Sequence, residues 1–148
     1  MKPGTILKWS QFPYPKSGKK KDRWFIYLGK TSLLSTPILA HLCTTTTNIA
    51  AFKMGGERQR HDHKIFTPEK YPFDEECVLD FDERPYSVPE EKLKNNPDIK
   101  VKGALTEPDL RMIYNRILKS PAYSKQIILD IHSCCNAVGI INLKKPKR

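Results

Sequence analysis

A change of hydrophobic period at Thr106 constrains the fold more than any other feature of the chain. Before it, apolar residues alternate in short runs, as strands require; after it, they recur at helical spacing. Leu110, Ile113, Tyr114, Ile117 and Leu118 fall at i, i+3, i+4, i+7 and i+8, the apolar stripe of a helix over 106–120. Thr106 is its N-cap candidate, and Asp109, three residues on, completes a capping-box-like arrangement. Ser120-Pro121 opens a second expected helix, since proline is tolerated in a first turn, and Gly139 ends it. Its Ile127, Ile128, Leu129 and Ile131 are β-branched enough to leave a strand open. Ile140–Leu143 reads as a short strand, and the basic tail 144–148 as frayed.

Upstream, the Pro3-Gly4 turn leads into a strand over Thr5–Phe12. Trp24–Gly29 places Trp24, Ile26 and Leu28 on one face and Phe25 and Tyr27 on the other. Ile38–Thr45 is a third strand, running into the threonines Thr44 to Thr47. Pro13 to Asp22 carries two prolines, a Ser-Gly pair and a lysine run, and reads as a long mobile loop. Gly55 to Lys70 looks polar and irregular, and Cys77–Phe81 and Ile99–Leu105 are further strands. Strands first and helices last give an α+β class, a small SH3-like β-barrel or half-open sheet with C-terminal helices. At 148 residues two full domains would each have too little interior, so residues 1–143 read as a single domain.

The charge balance narrows the partner. Lys and Arg number 26 against 16 acids, a net +10, which attracts phosphate polyanions, acidic proteins or anionic membrane surfaces. Lys16, Lys19, Lys20, Lys21 and Arg23 form one cluster, and Lys144, Lys145, Lys147 and Arg148 another. One such run serves equally well as a solvated surface, but several separated runs favour RNA or an acidic protein. No apolar stretch approaches the length of a bilayer span, and the N-terminus lacks a secretory h-region, so no membrane role is expected. Cys43, Cys77 and the vicinal Cys134–Cys135 form no CxxC and read as small buried hydrophobes of a reducing, cytoplasmic protein.

Metal chemistry finds less support. His61 and His63 share one face of a strand, and the segment 74–83 supplies Asp74, Glu75, Glu76, Asp80, Asp82 and Glu83. No further ligands stand at a supporting spacing. The histidines read as surface-loop residues and the acids as a solvated strand edge or a counterweight to the lysines. No metal or other cofactor is expected.

The order of features resembles the MazF/PemK (Kid) family of toxin endoribonucleases over residues 3–53 and 71–120. The pieces are Gly4-Thr5-Ile6, then Arg23-Trp24-Phe25-Ile26-Tyr27-Leu28, then Cys43-Thr44-Thr45, with Pro72-Phe73 and Lys102-Gly103 further on. Trp24 stands where the family has proline, 54–70 looks like an insertion, and 121–148 is an extension. The resemblance implies an SH3-like barrel, a homodimer, an acidic antitoxin protein as partner, and metal-independent cleavage of single-stranded RNA by its own 2′-hydroxyl. It implies Arg23 as stabiliser of the phosphorane charge, and Thr45 or Thr44 as hydrogen-bond donor to a phosphate oxygen. Lys16, Lys19, Lys20 and Lys21 would hold the strand by charge, with Trp24, Phe25 or Tyr27 stacking a splayed base if it faces outward; core packing is the competing role for these aromatics. The alternative is a non-catalytic SH3-like module that binds nucleic acid or an acidic protein. A metal-dependent phosphodiesterase built on the histidine and acidic segments is a third, weaker reading.

Overall fold

Alternation along β2 (Arg23–Lys30) organises the molecule. Ile26 and Leu28 enter a core shared with two helices, while Phe25 and Tyr27 enter a second core on the opposite face. The computed structural model describes residues 1–15 and 18–147. Antiparallel to β2 lie β1 (Thr5–Trp9), with Lys8 opposite Trp24, and β3 (Leu39–Thr46), with Thr44 opposite Phe25. The outer edge of β3 is divided. Its first half pairs with β6 (Tyr86–Pro89), and its last residues pair with β5 (Cys77–Asp80), which carries β4 (His63–Phe66). On the other side, β1 pairs with β7 (Ile99–Ala104).

The path β4-β5-β3-β2-β1-β7 is open, so this seven-stranded antiparallel sheet is not closed into a barrel. Side-chain packing fills the place where its ends would pair. Phe73 stacks against Phe66 of β4 with ring centroids 5.4 Å apart, and Pro72 lies on Gly103 of β7. A Cβ on Gly103 would approach Pro72 Cγ to 2.9 Å, and its φ of +156° also favours glycine. The sequence reading missed β4, inside the segment taken as irregular, and β6; both are four-residue strands too short to show a period. β1 stops at Trp9 rather than Phe12 because Gln11 takes a φ of +52° and turns Phe12 back into the second core. There Phe12 meets Trp9, Phe25 and Tyr86 at 4.9, 4.8 and 5.0 Å, each pair contributing about 0.5–1.5 kcal/mol beyond its burial.

The first helix, α1 (Glu107–Ile117), forms as its stripe predicts, burying Leu110, Ile113, Tyr114 and Ile117 together in the helix-side core. Thr106 Oγ1 accepts from the Asp109 amide at 3.4 Å and donates to the Asp109 carboxylate at 3.0 Å. The second, α2 (Lys125–Ala137), is a helix and not a strand, burying Ile128, Ile131 and Cys135 at helical spacing. Its cap is Ser124, not Ser120: Ser124 Oγ accepts from the Ile127 amide, whereas Ser120 Oγ accepts from Ala122 within the preceding turn. At the far end Gly139, with φ +87°, donates to Asn136 O while Ile140 donates to Cys135 O, a glycine-terminated helix end.

Beyond that end, 140–143 is not a strand and 144–147 is not frayed. Arg111 Nη1 donates to Ile141 O at 2.8 Å, His132 Nε2 bonds Leu143 O at 3.0 Å, and Tyr114 OH donates to Lys144 O at 2.5 Å. The chain end is thus strapped across both helices; Arg148 lies outside the described residues. A buried bridge ties α2 to the sheet. His41 on β3 bonds Ser87 Oγ of β6 at 2.8 Å and Asp130 Oδ2 of α2 at 2.9 Å. Cys43, Cys77 and Cys135 are buried free thiols, and no helix among the described residues is long and apolar enough to cross a membrane.

Candidate nucleic-acid interface

The start of β2 and the end of β3 lie side by side because the strands are antiparallel, and a cleft of about 360 Å³ opens there. Arg23 and Trp24 come from β2, Thr45 and Thr46 from β3 with Thr47 just beyond, and Lys8 from β1. Lys21, Asp22 and the segment Phe73–Glu75 with Cys77 complete its walls. Trp24 is half-buried, its ring 5.4 Å from that of Phe73, with Lys8 Nζ at 5.7 Å and Lys102 Nζ at 6.0 Å from its centroid. Both ammonium groups are held against the indole at the cleft edge by cation–π attraction. Phe25 and Tyr27, in contrast, are core residues at 0% and 4% exposure.

Arg23 is the unusual group. Its Nε is buried without a hydrogen-bond partner, although a buried donor left unmatched costs about 1–3 kcal/mol. The threonines divide their work. Thr44 Oγ1 donates to Trp24 O at 2.9 Å and lies outside the cleft lining, holding β3 to β2. Thr46 Oγ1 accepts from the Asn48 amide at 3.2 Å. Thr45 remains a wall residue, 9% exposed, beside Cys77. Burial pushes the Cys77 thiol up to about 11 despite hydrogen bonding from Thr45, so it is a neutral wall and not a nucleophile at pH 7.

The cleft is electrostatically mixed. Lys8, Lys21 and Arg23 face Asp22, Asp74 and Glu75. Lys8 Nζ pairs with Asp74 at 3.3 Å, and Asp22 Oδ1 accepts from the Gln11 amide at 3.0 Å, pinching the base of the 11–22 loop. Glu75 forms no ion pair among the described residues. Lys19 and Lys20 are exposed on that loop outside the cleft lining, and Lys16 lies outside the described residues. Sequence reading overlooked Lys8, Phe73, Asp74 and Glu75 as cleft residues. Only the pairing of Lys8 with Trp24 across β1 and β2 could have been anticipated, from the alternation of both strands.

The histidines and the acids Asp80, Asp82 and Glu83 are tied up in structural contacts. Asp80, 3% exposed, accepts from His61 Nδ1 at 2.8 Å and from Arg58 at 3.3 Å, while His63 Nδ1 bonds His61 O at 3.0 Å. Asp82 accepts from the Asp62 amide, and Glu83 meets Arg58 at 3.6 Å. Among the described residues no group of three or more His, Cys, Asp or Glu side chains is placed to hold a metal ion. No protein-family model, curated protein or solved structure matches this chain.

Proposed function

We propose that the cleft binds single-stranded RNA and cleaves it without a metal ion, as a diverged endoribonuclease of the MazF/PemK toxin type. The observation that carries this reading is Arg23, whose Nε is buried and unpartnered in a cleft rimmed by Thr45, Thr46 and Thr47. A guanidinium that lacks one partner inside the protein is the side chain best matched to a phosphate oxygen entering the cleft. The 2′-oxygen attacks the adjacent phosphorus, the bond to the 5′-oxygen breaks, and a 2′,3′-cyclic phosphate and a 5′-hydroxyl result. Glu75 takes the 2′-hydroxyl proton, solvent water protonates the leaving 5′-oxygen, and Arg23 with Thr45 stabilises the charge that builds on the phosphorane oxygens. Trp24 stacks a base, and Lys19, Lys20 and Lys21 guide the strand. The SH3-like kinship, homodimer, acidic antitoxin and cytoplasmic setting belong to the same proposal.

The test is incubation of end-labelled RNA with the protein in EDTA. Cleavage with a 2′,3′-cyclic end, blocked by a single 2′-deoxy substitution at the cut site, is expected; cleavage that EDTA abolishes would overturn the mechanism. The equal numbers of cations and carboxylates in the cleft favour a second reading, a non-catalytic SH3-like module that binds nucleic acid or an acidic protein. RNA bound but never cut would select it.

A further inference from the structure

A second groove, of about 500 Å³, opens between the end of α1, the turn into α2 and the C-terminal strap. Its floor is apolar, formed by Leu118, Tyr123, Ile128 and Pro146. Its rim carries Lys119, Lys125, Lys144, Lys145 and Lys147, and no carboxylate lines it. None of these lysines forms an ion pair among the described residues. The helix adds to the same sign. α2 begins at the groove with Lys125, has no acidic residue in its first turn, and leaves the positive end of its dipole uncompensated. The rim is partly held in place, because the bonds from Arg111, His132 and Tyr114 to the carbonyls of Ile141, Leu143 and Lys144 fix the strap as far as Lys144, next to Lys145 and Lys147.

We propose that this groove binds a small anionic amphiphile, an apolar chain or ring system that carries a carboxylate or phosphate head. Its volume falls in the range of small-molecule sites, about 300–1,000 Å³, where an apolar lining meets a few convergent polar groups. A bare anion would leave the floor unused. A nucleic-acid backbone, charged along its length, would lay phosphates over apolar surface and desolvate them without return. An apolar body on Ile128 and Tyr123 with its head among the lysines satisfies both halves, and the pre-formed rim lowers the ordering cost of binding.

The experiment is an NMR titration of the full chain with sodium decanoate, decanol and sodium phosphate in separate arms. Decanoate is expected to shift the Leu118 and Ile128 methyl signals saturably, with decanol about tenfold weaker and phosphate leaving those methyls unmoved. The double variant Lys125→Gln/Lys145→Gln is expected to weaken decanoate about tenfold while decanol binding stays unchanged. Equal affinity for decanol and decanoate, or an unaffected double variant, would overturn the proposal. So would methyl shifts that never saturate, or binding only to anionic vesicles or to an acidic Glu/Leu peptide and not to monomeric decanoate.

Discussion

Replacing Arg23 with alanine should separate activity from stability. The substitution deletes a buried Nε that has no partner and so relieves about 1–3 kcal/mol of unmet desolvation. It also strips two half-buried methylenes, Cγ and Cδ, which at about 0.8 kcal/mol per fully buried CH₂ removes roughly 1 kcal/mol of packing. The two effects oppose each other, and urea unfolding of Arg23→Ala should agree with the parent within about 1 kcal/mol or show a small gain. Cleavage should fall by about 10²–10³, the usual loss when one charge-stabilising donor is removed. Arg23→Lys keeps the charge but not the planar fork and should recover little of the rate. A ligand-linked signal completes the assay. RNA at one hundred times its Kd should stabilise the parent by about 2.7 kcal/mol and the alanine variant by far less. Destabilisation of Arg23→Ala by more than about 3 kcal/mol, or undiminished cleavage, would refute the reasoning and make Arg23 a structural residue.

Thr45→Val keeps volume and β-branching while deleting the hydroxyl, and should slow RNA cleavage by about 10- to 1000-fold in single-turnover kinetics with an unchanged unfolding midpoint. Gly29→Ala would bring a Cβ to 3.1 Å from both Cβ and Sγ of Cys134, at a φ of +152°, and should lower stability by about 2–5 kcal/mol in urea melts by pushing α2 off β2. Burial raises Cys43 to about 12, and Cys77 and Cys135 to about 11, from an ordinary 9.0, so the unfolded chain releases these protons first. Stability from these thiols is therefore complete below pH 9 and lost as pH rises through 11–12; the urea midpoint should fall between pH 8 and 10.5, and less so in a Cys43→Ala/Cys135→Ala variant. Glu75→Gln should abolish cleavage yet tighten RNA binding in a fluorescence titration, because it removes both the proposed base and a charge that repels phosphate; weaker binding would contradict that role.

Residues whose role is set by local period were legible, and those set by distant pairing were not. The parity of Trp24–Leu28 assigned each side chain to its face, since one strand passes between two cores and alternation alone decides which is which. The α1 stripe and its Thr106 cap were equally readable, being written within one turn of chain. β4 and β6 escaped because four residues show no period, and the strap because it is held by Arg111 and Tyr114, each 30 residues from the carbonyl it meets. Barrel closure failed as an expectation for the same reason, since the Pro72–Gly103 contact that fills the open seam joins residues 31 positions apart.

That distinction also explains the candidate site. Its cationic half comes mainly from β2 and the loop before it, a continuous stretch in which Lys21, Arg23 and Trp24 announce themselves by composition. Two of its three acids, Asp74 and Glu75, arrive from a segment about 50 residues away that reads as a solvated strand edge or a counterweight to the lysines. With three charges of each sign, the cleft cannot hold a polyanion by field strength alone. The excess charge of the protein lies elsewhere, on the loop lysines and around the groove at α2. In the proposed function, long-range attraction and local recognition thus fall to different residues. On that reading the loop would draw in a phosphate chain at a distance set by ionic strength, about 8–10 Å under physiological conditions. Selection inside the cleft would then rest on what a charge pattern cannot supply: the Arg23 guanidinium with one donor unmatched, the Thr45 hydroxyl and the Trp24 indole.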